Sequence, residues 1–261
     1  MERVFLQAAV MGTFLILGVI YPRRAQKLLS TDLWINVLTG GAIFLLVAPL
    51  VGWIKTLSLS TQFSLLSFPQ ASSWVHFLLM FLLLDFSRYW LHYAHHRVPF
   101  LWSFHRVHHS SESLDATSGL RMHVVDFIQL GCLPIFLFVF LFDTHQVEDW
   151  VLPYAMTVGV FFDAFQHSNI KMDMTKPWNK LWHLLLNNPH FHVWHHTREG
   201  HRYDGNYGNT LVVWDRLFGT DVTQSHIPEQ LGISSEQALV NSPLSLQLLR
   251  SRASQKSKDT A

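Results

Sequence analysis

Charge is scarce in this chain: Asp, Glu, Lys and Arg make up only 14% of its 261 residues, against about a quarter in soluble domains. What charge there is nearly cancels, leaving a net +1. A polyanionic partner such as nucleic acid is therefore not implied. Cysteine is all but missing. Cys132 is the single one, which excludes an intrachain disulfide, and its place in the apolar run Leu130–Phe142 reads as a buried core thiol. No A-x-A-like cleavage site follows the first apolar run, so that run is expected to be a retained helix and not a signal peptide.

Apolar residues, by contrast, supply 49% of the chain and fall into five runs: Val4–Ile20, Leu33–Ile54, Trp74–Leu91, Val124–Phe142 and Trp150–Phe165. A helix needs about 20 residues to cross the hydrocarbon of a bilayer. The second run is long enough, the first, third and fourth nearly so, and the fifth is short. The expectation is an all-α, multi-pass membrane bundle of four to five apolar helices. The positive-inside rule sets its orientation. Arg23, Arg24 and Lys27, then Arg97 and Arg106, then Lys171, Lys176 and Lys180 all fall on one side of such a bundle. The acidic loop with Asp143, Glu148 and Asp149 falls on the other. Three parts follow: membrane helices over 1–73, a central part over 74–220, and a polar tail over 221–261, expected to be flexible after Ser242.

The unusual abundance is histidine, 17 residues in all. Three clusters stand out: His92-Tyr93-Ala94-His95-His96, His105-Arg106-Val107-His108-His109 and His192-Val193-Trp194-His195-His196. Residues three and four apart share a helix face. Each cluster is thus expected to present two or three imidazoles to one point. Eight or more ligands exceed the four of a tetrahedral zinc and suit two ions. Imidazole suits iron, zinc, copper and nickel alike. A lone histidine is ordinarily interfacial, but this repeated spacing on one membrane side favours a metal site. The stripe Asp85, Arg88, Tyr89, His92, His96 runs at three- and four-residue steps along an apolar helix, and such polar groups near a span suggest function. Asp85 is expected either to orient a ligand histidine or to serve as a surface or cap residue. His167, with Asp163 at i−4, is read as a ninth ligand. His123 stays open as a tenth. His183, His190 and His201 are placed near the site without a ligand role, and His76, His145 and His226 lack sequence partners.

These residues carry a resemblance. The segments Asp85-x3-Tyr89-Trp90-x-His92-x3-His96, Leu101-Trp102-x2-His105-x2-His108-His109-Ser110 and Pro189-x2-His192-x2-His195-His196 are followed by Asp204-x-Asn206-Tyr207-Gly208 and Trp214-Asp215-Arg216-Leu217-Phe218-Gly219-Thr220. Over Leu78–Thr220 the chain resembles the fatty acid hydroxylase / sterol desaturase superfamily of membrane di-iron enzymes. The resemblance implies a cytosolic helical cap holding the metals, a catalytic role for 74–220, two iron ions (zinc being possible in isolated protein), dioxygen as co-substrate, and oxidation of an unactivated C–H bond of a membrane lipid. Asp85, Asp204 and Asn206 are carried over as catalytic candidates. Asp204-Gly205-Asn206 and Tyr207-Gly208-Asn209 also read as plain turn formers, and Trp214–Thr220 as packing closed by Gly219. Where the family often has proline and glutamate after the histidine matching His123, this chain has Val124, Val125 and Asp126. No His-Pro-Gly-Gly haem motif is present, so electrons are expected from a separate ferredoxin- or cytochrome b5-like donor. No KDEL-type signal ends the chain, which favours a bacterial inner membrane over the endoplasmic reticulum.

Hydroxylation of a sterol, fatty acyl or related lipid is the leading expectation, with desaturation on the same scaffold beside it. A metal transporter would place its ligands near the midplane of broken spans, whereas here they follow span ends. A zinc hydrolase with Asp163 or Asp204 as general base would need neither oxygen nor reductant.

Overall fold

The structure is a computed structural model that describes residues 2–27, 29–60, 65–67, 69–143, 147–198, 204–222 and 224–251. His145, His201 and the terminal stretch 254–261 singled out above lie outside these residues.

The apolar runs become helices: α1 (Glu2–Ile20), α2 (Thr31–Ser60), α3 (Ser73–Arg97) and α7 (Val151–His167). The fourth run is a continuous helical stretch built from α5 (Val124–Phe127), a π-turn (Ile128–Cys132) and α6 (Leu133–Leu141). Among the described residues only α3 is both long and apolar enough to cross a membrane, while Phe5–Ile20, Thr31–Val47 and Val124–Phe138 are shorter apolar helices. Two-residue strands, β1 (Leu66–Ser67) and β2 (Phe142–Asp143), pair in parallel at the far end of the bundle. There Met80, Leu84, Phe138, Val151 and Ala155 form an apolar core between α3, α6 and α7.

Short helices gather at the other end of α3. They are α4 (Pro99–His109), α8 (Pro177–His183), α9 (Pro189–His195) and α10 (Val213–Phe218). Their starts are written in the sequence. Pro99, Pro177 and Pro189 occupy first-turn positions, where a missing N–H costs nothing. Asn188 caps α9, its side chain accepting from the N–H groups of His190 and Phe191, as N-cap residues do. Gly219 ends α10 at φ 72°, the left-handed conformation glycine adopts freely. Trp214 and Phe218 pack on α3, against Phe86 at 5.0 Å and Trp90 at 4.8 Å.

The C-terminal part differs from the flexible tail expected. Residues 224–251 fold back as a strap ending in α11 (Pro243–Gln247). Ile233, Leu239 and Leu246 are buried with Ile35 of α2 and Val107 of α4. Their wide spacing among polar residues hid this apolar face. Buried Arg121 fastens the strap, donating to Asp32 on α2, Ser110 at the end of α4 and Asn241 on the strap. Arg23, read above as a topology-setting surface charge, is buried too, and donates to the Pro189 carbonyl at 2.8 Å. It ties the loop after α1 to the start of α9.

Candidate metal centre

Four helices bring nine histidines together in two groups. His92 and His96 of α3, His105 and His109 of α4 and His195 of α9 form one; His108 of α4, His167 of α7, and His192 and His196 at the end of α9 form the other. Within each group the ring nitrogens lie within 4.8 Å of one another, close enough to hold a metal ion. All nine histidines read as ligands are here, and His167 is among them.

The expectation that each cluster aims at one point is corrected. In α4, His105 and His109 serve the first group and His108 the second; in α9, His192 and His196 serve the second and His195 the first. The cause is helical phase. At 3.6 residues per turn, positions i and i+4 nearly eclipse, whereas adjacent residues diverge by about 100°. An H-x2-HH pattern therefore gives two rings to one group and one to its neighbour. The groups touch where these adjacent pairs meet, with His109 stacked on His196 at 4.4 Å.

The outward nitrogens fix the tautomers. His92 Nδ1 donates to the Tyr207 carbonyl at 2.8 Å, His195 Nδ1 to the Gly205 carbonyl at 2.7 Å, and His167 Nδ1 to the Asp163 carbonyl at 2.7 Å. His105 Nδ1 donates to both oxygens of Asp126 at 3.1 and 3.2 Å. In each neutral ring the lone pair is then on Nε2, facing inward. Yet His92 Nε2 lies 3.1 Å from His105 Nε2, and His167 Nε2 lies 3.0 Å from His192 Nε2. The first of these pairs sets two lone pairs face to face, which no hydrogen bond between neutral rings can satisfy. Burial, and then neighbouring imidazoles, hold His105, His109, His192, His195 and His196 well below the ordinary histidine value. Burial likewise pushes His108 down to about 3. Both nitrogens of His96, Nε2 of His195 and Nδ1 of His108, His192 and His196 are buried without a hydrogen-bond partner. An orphaned buried polar atom costs about 1–3 kcal/mol. Neutral, inward-facing imidazoles with unused lone pairs fit bound cations.

The other candidates fall elsewhere. Asp85 does not orient a histidine: it accepts from the backbone N–H of Thr210 and Leu211 and from Trp214 Nε1, at 3.0, 3.1 and 3.0 Å. It anchors the segment leading into α10. The second-rank carboxylate is Asp126, fully buried and also 3.3 Å from His95; its place where the family has glutamate was the available signal. Asp204 pairs with Arg97 at 3.6 Å on the rim. Asn206, at φ 60°, binds the carbonyls of Phe191 and Val222 through Nδ2 and the Val222 N–H through Oδ1. It shapes the loop whose carbonyls at Gly205 and Tyr207 hold His195 and His92. Asp215 holds the other side of that loop, accepting from the N–H groups of Tyr207 and Gly208. His123 stands outside both groups: it caps α5 through Nδ1 and donates from Nε2 to Gln247. His183 bonds Asn188, His190 bonds the Gln224 carbonyl, and His76 bonds Pro69.

The chain is similar to known proteins. Alkylglycerol monooxygenase of Danio rerio is 31% identical over 173 residues, 63% of this chain and 34% of that protein. Ornithine lipid hydroxylase OlsE of Rhizobium tropici is 33% identical over 139 residues, 52% of this chain and 38% of that protein. Methylsterol monooxygenase 1 of Danio rerio is 31% identical over 140 residues, 52% and 43% respectively. The aligned part thus spans well under half of each relative. No solved structure matches the chain. The fatty acid hydroxylase profile matches residues 77–220, a stretch that holds all nine grouped histidines and the carboxylate and carbonyls behind them, and the chain belongs to that family.

Proposed function

We propose that this protein is an oxygen-dependent lipid hydroxylase whose nine grouped histidines hold two iron ions. The observation that carries the reading is the set of inward lone pairs, above all His92 and His105, whose protons are committed outward to Tyr207 and Asp126 while their Nε2 atoms stand 3.1 Å apart. Iron held there supplies the redox chemistry that lets dioxygen oxidise an unactivated C–H bond, with electrons from a separate ferredoxin- or cytochrome b5-like donor. The relatives named above, a monooxygenase of alkylglycerols, a hydroxylase of ornithine lipids and a monooxygenase of methylsterols, support a lipid substrate.

The chain's own residues do the rest. Asp126 and the carbonyls of Gly205, Tyr207 and Asp163 keep a proton on Nδ1 of their histidines, so that Nε2 stays a ligand atom. The strap and α9 bury the rings and exclude bulk water. The apolar α3 leads from the bilayer to His92 and His96, so a lipid reaches the centre without crossing water. In this reading the centre lies at the cytoplasmic ends of the membrane helices, and Asp85 and Asn206 support the site through the backbone.

The test is a lipid profile of cells carrying the wild type or His108→Ala, each grown with and without oxygen. A lipid gaining one oxygen atom, dependent on both oxygen and His108, is the expected result. Loss of two hydrogens instead would make the protein a desaturase. An unchanged product with His108→Ala would overturn the site.

A further inference from the structure

A cavity of about 250 Å³ lies between the end of α1, the loop that follows it and residues 115–116. Pockets that enclose a whole small ligand measure about 300–1,000 Å³. This one suits a headgroup whose chains lie outside it.

Its walls are fixed by the fold. Asn169 clasps the loop at Arg24, accepting from the backbone N–H at 3.2 Å and donating from Nδ2 to the carbonyl at 2.8 Å. The Asn169 carbonyl accepts from the Arg23 N–H at 2.7 Å, and the Tyr21 carbonyl from the Lys171 N–H at 2.8 Å. On the other side Gln26 Nε2 donates to the Leu114 carbonyl at 3.2 Å. The loop is thus pinned on both sides of the cavity.

The lining joins two chemistries. Leu15 and Val19 of α1 give it an apolar wall. Val19 is exposed, as are Ile16 and Ile20 beside it, so this wall runs on into the outer face of the helix. Arg24, Lys27 and Asp115 supply charge. Among the described residues neither cation forms an ion pair. Arg24 also works against buried Arg23, whose pKa is lowered to about 9 by burial and then by that neighbour; an anion on Arg24 offsets the repulsion. Asp115 is buried. Its Oδ1 accepts from the backbone and hydroxyl of Thr117, while among the described residues Oδ2 accepts from nothing. A buried carboxylate oxygen calls for a donor.

The complementary ligand brings an anion, a hydrogen-bond donor and an apolar chain. A fatty acid anion lacks the donor, and a diacylglycerol lacks the anion. A choline headgroup has no N–H or O–H. A phosphodiester lipid with a glycerol or ethanolamine headgroup has all three features, and basic pockets between membrane helices bind lipid headgroups.

We propose that this cavity binds the headgroup of a donor-bearing membrane phospholipid, with Arg24 and Lys27 on the phosphate, Asp115 accepting from the headgroup donor, and an acyl chain along Leu15 and Val19. None of the lining residues is a grouped histidine, so the site is independent of the lipid-oxidation reading. Equilibrium binding to the full-length protein in detergent tests it. The probes are dioctanoyl phosphatidylglycerol, phosphatidylethanolamine and phosphatidylcholine, with glycerophosphoglycerol as a chainless control. Wild type should bind the glycerol and ethanolamine lipids about tenfold more tightly than the choline lipid, the effect of one buried hydrogen bond. Arg24→Gln and Lys27→Gln should each weaken all three lipids by about fivefold, the effect of one cation near a lipid phosphate. Lys180→Gln, a basic residue outside the cavity, should change none of them. Equal affinity for the three lipids in wild type overturns the proposal whether or not a variant folds. So does unchanged binding in folded Arg24→Gln and Lys27→Gln, or an equal loss in Lys180→Gln, which would mark a general surface attraction. Glycerophosphoglycerol binding as tightly as its lipid would make the site one for a soluble phosphodiester and overturn the lipid assignment.

Discussion

The two histidine groups differ less in number than in how they are held. In the group of five, three rings are anchored from behind: His92 by the Tyr207 carbonyl, His195 by the Gly205 carbonyl and His105 by Asp126. In the group of four, one ring is anchored, His167 by the Asp163 carbonyl, while Nδ1 of His108, His192 and His196 has no partner. Outer hydrogen bonds orient ligands and raise their basicity. The fold's own hydrogen bonds thus order the group of five more fully than the group of four.

Removing a ligand should have the largest effect. His195→Ala and His192→Ala should each lower lipid oxidation by at least about 100-fold, the upper range for changes even one shell further out. Metal analysis should separate them. His192→Ala should keep one ion per chain, in the anchored group, while His195→Ala should lose part of both. Equal retention would break the contrast. Asp126→Ala comes next and should weaken metal retention by about 10–100-fold, with Asp126→Asn milder because its amide oxygen still accepts. Chelation sharpens the comparison further. A slow chelator should remove the two ions in separate phases, differing by about tenfold, and Asp126→Ala should bring the phases together. A single phase in wild type would mean the anchors do not set the difference.

Much of this site was legible because helix phase is local. The spacing of His92 and His96, and of the two H-x2-HH patterns, picked out eight of the nine grouped histidines, and the i−4 relation of Asp163 singled out His167. The division between groups needed the same rule carried one step further, to the divergence of adjacent residues. What holds the rings was not legible. Carbonyls at Gly205 and Tyr207 leave no side-chain signature, and only the fold brings that loop under His195 and His92. Asp85 misled for the same reason: on the helix it neighbours histidines, but the chain returns at Thr210 and takes its oxygens. The strap stayed hidden because three buried apolar residues, Ile233, Leu239 and Leu246, are too widely spaced to form a run.

Acid should act unequally on the two groups through α9, with the smallest effect of those considered. His183 Nδ1 accepts from Asn188 Nδ2 at 3.0 Å, while Asn188 Oδ1 caps α9. Burial, then Arg216, hold His183 down to about 4. The folded state therefore keeps this ring neutral where the unfolded chain, titrating near 6.5, has taken up a proton. Its contribution to stability is full above about pH 6.5 and is lost as pH falls toward 4, by about 3 kcal/mol in all. Protonation puts a hydrogen on Nδ1 against the Asn188 donor and loosens the cap. Because α9 and its end give two histidines to the group of four and one to the group of five, the group of four should release its ion at higher pH. His183→Gln, whose side-chain oxygen still accepts without titrating, should flatten the stability slope between pH 4 and 6.5 and shift the release of the weaker ion downward. An unchanged slope in that variant would assign the acid sensitivity to the grouped histidines themselves.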